Sequence, residues 1–221
     1  MLPHFFDPIR FASESVYTTI IVFFCFLIYF KTKKFYNLSK YQGIQYFRNA
    51  FLFFGLAYLA RFVIHLLQLI GMASNLMGPR RFMFPAFMIP VGYLSTIAIF
   101  YLTYSTIWKK IGYNHFLILS NLVAIIVSVI AFITRSPFIL SILQLLLLLA
   151  TFIIGFMKHK KGKKTSNIRA LYLLIAIFWL INIFVLDTTR RFFLFEFKVI
   201  FQVMSIGVFF AIYYKVMKWV K

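Results

Sequence analysis

An all-α, polytopic integral membrane protein, folded as a seven-transmembrane-helix bundle with the N-terminus outside and the C-terminus cytoplasmic, is the fold class this sequence predicts. Three observations lead there. Hydrophobic residues make up 63% of the 221-residue chain and charged residues 13%, about half the charged share of a soluble domain. A chain this apolar, with a mean hydropathy of +0.91, has too little polar surface to face water and takes lipid as its solvent. The apolar residues also fall into seven runs, parted by short polar connections in which the basic residues are unevenly placed.

The runs lie at about 14–30, 44–70, 84–107, 116–133, 138–157, 169–186 and 197–214, in a single domain covering 1–221. The first follows a segment with no basic n-region. It ends in Lys31-Thr32-Lys33-Lys34, not in a small-residue cleavage site, so it is expected to stay as a span. The second exceeds the hydrocarbon thickness at about 1.5 Å per residue and should tilt. Gly78-Pro79 precedes the third, where Pro85 suits a helix start and Pro90 should loosen or kink that end. Lys110-Ile111-Gly112 opens the way to the fourth, and Ser136-Pro137 joins it tightly to the fifth, which makes those two helices antiparallel neighbours. Small or polar stripes mark three spans: Tyr93, Thr96 and Thr103; Asn121, Ala124 and Ser128; Ser141, Gln144, Thr151 and Gly155. In lipid such stripes serve close helix packing and interhelical hydrogen bonds.

Orientation follows from charge. Lys31, Lys33, Lys34, Lys40, Lys109, Lys110, the run from Lys158 to Lys164, Lys215, Lys218 and Lys221 fall on one side, which is therefore cytoplasmic. The other side receives fewer basic residues, among them Arg80, Arg81, Arg135, Arg190 and Arg191, and all four acids, Asp7, Glu14, Asp187 and Glu196. The sequon at Asn37 then lies inside and stays unmodified. The formal charge of +20 is spread through loops too short to form a reading surface, so no nucleic acid is expected. Anionic headgroups at the cytoplasmic loops are the expected lipid partners; the basic 158–164 loop chiefly enforces topology, with docking of an anionic lipid or an acidic cytoplasmic protein as the second reading.

Enzyme signatures are missing. His4, His65, His115 and His159 are scattered, four acids leave nothing for paired-carboxylate chemistry, and no nucleophile elbow or phosphate-cradling glycine loop occurs. No catalytic residue, metal or cofactor is expected. Cys25 lies alone in an apolar run, a small core residue.

One polar feature stands out. Arg61 sits near the middle of the second span, about 16 Å along the helix from Ala50. Tyr58, Arg61, His65 and Gln68 share one face of that helix. A guanidinium at a helix centre costs about 2.5–3.5 kcal/mol, so it turns inward and finds partners. Glu14, Asp187 and Glu196 are the ion-pair candidates. Trp179 with Asn182, and Gln202 with Ser205, can complete the lining. Two readings stand side by side: an outward-facing polar pocket for a small anionic or polar ligand, or a buried ion pair that fixes which helices meet.

The layout resembles that of microbial rhodopsins, of seven-helix sugar carriers and of the input modules of membrane sensor kinases. A retinal lysine is absent from mid-seventh span, between Lys198 and Lys215, and the Pro-Gln pairs of the sugar carriers are absent too. A free-standing, sensor-like seven-helix module is the nearest layout. The sequence thus points to a non-enzymatic membrane protein, receptor-like or accessory, that needs a cytoplasmic partner to signal. The alternative is a small-solute or lipid transporter using the same lining.

Overall fold

The computed structural model describes residues 8–74, 80–109, 112–158, 163–186 and 195–220. Among them the chain is wholly helical: α1 (Pro8–Ser39), α2 (Gln42–Ser74), α3 (Arg80–Ile107), α4 (Tyr113–Thr134), α5 (Pro137–Lys158), α6 (Lys163–Leu186) and α7 (Phe195–Val220). Six of the seven are long and apolar enough to cross a membrane, and in α6 the apolar described portion covers Ala170–Asn182.

The helices overrun the apolar spans that mark them. α1 continues past Lys31 to Ser39, because nothing between them breaks a helix and lysine stems lie along an apolar wall while their ammonium groups reach water. It stops at Lys40, which adopts a left-handed backbone (φ 52) and returns its N–H to the Tyr36 carbonyl at 2.7 Å. Arg135 ends α4 in the same way, also at φ 52, with its N–H on Ala131. That conformation suits glycine better, and here it lets the chain reverse at once into α5. α3 starts at Arg80, more than a turn before Pro85, and runs on through Pro90. Each proline lacks the N–H that would close a helical bond.

Side-chain contacts fix the direction of every helix. Tyr17 meets Tyr58, and Arg48 lies over Tyr29 and Tyr36, so α1 and α2 are antiparallel. Tyr46 packs on Tyr104 and Tyr41 on Trp108, which sets α3 antiparallel to α2. Tyr104 stacks on Phe116 at 4.0 Å near the start of α4. Gln144 donates to Ser95 at 2.5 Å and Thr103 meets Thr151 at 2.6 Å, so α5 runs parallel to α3. Tyr172 reaches Ser105 at 3.0 Å, and Phe178 packs on Phe209, which orients α6 and α7. Odd helices therefore end, and even helices begin, at the lysine-rich end of the bundle.

Neighbour contacts join α1, α2, α3, α5, α6 and α7 into a ring in that order, closed by α1 against α7, while α4 leans on α3 and α5 from outside. The centre is filled with rings, not with a helix. Phe54 of α2 crosses to Phe178 and Trp179 of α6 and stacks on Phe209 of α7. The inward stripe of α7 is Gln202, Ser205, Phe209, Ile212 and Val216, a heptad-like spacing of buried residues.

Candidate functional site

α1, α2, α6 and α7 converge on a polar node one layer from this aromatic centre, toward the end of the bundle away from the lysines. Tyr17 is one turn after Glu14 on α1. Tyr58 is one turn after Phe54 on α2, Asn182 one turn after Phe178 on α6, and Ser205 one turn before Phe209 on α7. The same stripes that put phenylalanines in the centre thus put four polar groups together one layer out. All four are buried.

The hydrogen bonds can be counted proton by proton. Tyr58 donates to Asn182 Oδ1 at 2.5 Å, and Tyr17 donates to the same oxygen at 2.9 Å. The Tyr17 hydroxyl has then spent its one proton, so Ser205 must donate to it across their 2.9 Å contact. The Tyr17–Tyr58 approach of 3.4 Å joins two hydroxyls that are both already donating. Asn182 Nδ2 donates to the Phe178 carbonyl at 2.9 Å. The node is therefore internally satisfied.

Gln202 is the exception. Its side chain is 4% exposed, and its Nε2 has no hydrogen-bond partner. It lies one turn outward of Ser205 on the same face of α7. Lys198, a turn further out, forms an ion pair with Glu14 on α1. Two α1–α7 contacts, Lys198–Glu14 and Ser205–Tyr17, thus bracket Gln202 from above and below. An amide donor in this position costs about 1–3 kcal/mol for want of an acceptor.

Arg61 lies about one turn beyond Tyr58 on α2 and is half-buried. The sequence reading placed Tyr58, Arg61, Asn182 and Gln202 in one lining, and the structure brings all four to this region. Trp179 belongs to the aromatic layer beneath, with its ring 4.8 Å from Phe54. His65 and Gln68 continue α2 toward the end away from the lysines, and their side chains lie outside the described residues. Of the acids named as ion-pair candidates, Glu14 pairs with Lys198, Glu196 is exposed in the first turn of α7, and Asp187 lies outside the described residues.

Tyr17 and Lys198 were not singled out in the sequence. The signal was nonetheless present: Lys198, Gln202 and Ser205 recur at the spacing that marks Arg61, His65 and Gln68. Inward of the node lies a cavity of about 30 Å³ lined by apolar side chains, among them Phe54, Ile99, Trp179 and Phe209. That is room for a water or two, but the lining offers them no hydrogen bonds. Among the described residues no group of His, Cys, Asp and Glu could hold a metal ion.

A protein of Archaeoglobus fulgidus described as an uncharacterized protein is 34% identical to this chain over 226 residues, covering 99% of this chain and 97% of that one. No family model matches the chain, and no solved structure matches it.

Proposed function

This chain and the Archaeoglobus fulgidus protein belong to one family, and we propose that this chain is a non-enzymatic, receptor-like or accessory protein of a prokaryotic cell membrane. In this reading all seven helices cross the bilayer, with the N-terminus outside and the lysine-rich end in the cytoplasm. A small anionic or polar ligand enters from the outer end and binds between Arg61 and Gln202. A cytoplasmic partner carries the signal onward.

The buried, unpartnered Gln202 amide carries this reading. A purely structural polar cluster satisfies its own donors, as Tyr17, Tyr58, Asn182 and Ser205 do. One donor left over, beside an arginine and a lysine, is complementary to an acceptor supplied from outside the chain. The parallel orientation of odd helices supports the topology, since it gathers the lysines at one end.

The test is thermal unfolding of the purified protein against a panel of small carboxylates, inorganic phosphate and sugars. At least one should raise the melting temperature of the wild type, and that response should vanish in Arg61→Leu and Gln202→Leu proteins that still fold. A panel with no effect on the wild type, or an effect that survives both substitutions, contradicts the reading. Flux of the same compounds into proteoliposomes, abolished by Arg61→Leu, would instead select the transporter alternative.

A further inference from the structure

The lysine-rich end of the bundle holds a second site. Arg48 lies on α2 about 9 Å from that helix's start. Its guanidinium is held between two aromatic rings of α1, 4.9 Å from the centre of Tyr29 and 5.5 Å from that of Tyr36. Both distances fit cation–π contacts, which fix the plane of the guanidinium without using its N–H donors. Its Nε is buried and has no hydrogen-bond partner.

Among the described residues no carboxylate lies at this end. Glu14 and Glu196, the described acids, lie in the first turns of α1 and α7, at the opposite end. Around Arg48 the charges are of one sign: Lys33, Lys34 and Lys40 are exposed close by on and after α1. A ring-clamped guanidinium with a buried, unpartnered Nε and no counter-charge among the described residues suits an anion from its surroundings.

The surroundings are a membrane interface. Tyr29, Tyr36, Tyr41, Tyr46, Trp108 and Tyr113 form a band of amphipathic rings at this end, and rings of this kind settle at headgroup depth. Phe30 and Leu38, on the outer face of α1, are 58% and 85% exposed, so acyl chains have apolar wall to lie against. We propose that Arg48, oriented by Tyr29 and Tyr36 and flanked by Lys33 and Lys40, binds the phosphodiester of one anionic membrane lipid. The guanidinium fork takes two phosphate oxygens, and the lysines neutralise the rest.

Native mass spectrometry of the full chain, extracted from nanodiscs of mixed phosphatidylglycerol and phosphatidylcholine, tests this directly. The wild type should retain one phosphatidylglycerol in preference to phosphatidylcholine. Arg48→Gln should lower that retention about tenfold, the loss of one charge-assisted contact pair. Tyr36→Leu, which keeps the charge but frees the guanidinium, should lower it by a smaller factor, and it serves where Arg48→Gln does not fold. Equal retention of the two lipids by the wild type overturns the proposal, as does undiminished retention in a folded variant. Displacement of the lipid by millimolar inorganic phosphate would show a site for free phosphate and overturn the assignment to lipid.

Discussion

Asn182 is the residue on which four helices agree. Its single carbonyl oxygen takes protons from Tyr17 and Tyr58, and through Tyr17 it is tied to Ser205. Removing it strands two buried hydroxyl donors, whereas removing Ser205 takes away one donor and leaves the others paired. Asn182→Ala should therefore cost about 2–4 kcal/mol and Ser205→Ala about 1 kcal/mol. Chemical unfolding in detergent measures both, and equal costs would contradict the proton assignment. Residues of this kind were partly legible in the sequence. Arg61, Tyr58, Asn182 and Gln202 are conspicuous because polar groups are scarce in these spans. Tyr17 was not, since a tyrosine near a helix end serves an interfacial belt as readily as a core. Lys198 reads as a headgroup contact until the structure shows Glu14 beside it.

At the scale of the helix, rotation was harder to read than existence. In a soluble helix the apolar stripe faces the core, but here lipid-facing and core-facing sides are both apolar, so the stripe disappears. What remains are small residues that let backbones meet. Gly55 is one: a Cβ placed there would stand 2.9 Å from Cys25 Cβ across the α1–α2 contact. Gly55→Ala should accordingly push α1 from α2 and lower stability by about 1–3 kcal/mol, as overpacking does. Because the clash is with Cβ and not with the sulfur, Cys25→Gly should restore most of that loss and Cys25→Ala none. Melting temperatures of the three proteins decide it, and rescue by Cys25→Ala would show the contact to be misassigned. The same geometry gives Cys25 its role as a small, buried residue where α1 packs tightly on α2.

Over the whole molecule, composition and charge carried the most information. The apolar excess identifies lipid as the solvent, and the helical directions found in the structure gather the lysines that the sequence had assigned to one side. The order of helices around the ring was not legible, although hydropathy held a clue. α4, outside the ring, has the highest mean hydropathy of the six helices long and apolar enough to cross a membrane, 2.8, and α3, which contacts α2, α4 and α5, has the lowest, 1.3. A helix surrounded by protein can carry polar groups that find partners, while one facing acyl chains cannot. The proposed topology has its own check. A reporter fused after residue 221 should be active only in a cytoplasmic format, and one placed in the connection between α6 and α7 only in an external format. The reverse pattern would invert the orientation and move the node to the inner half of the bilayer.

The proposed site rests on Gln202 having no acceptor among the described residues, and Gln202→Leu tests this without knowledge of any ligand. If the amide is unsatisfied in the free protein, an apolar side chain of similar size removes a desolvation cost, and unfolding of the ligand-free variant should be harder by about 1–3 kcal/mol. If Gln202→Leu is instead destabilised as far as Asn182→Ala, the amide is a structural member of the node and the binding reading fails.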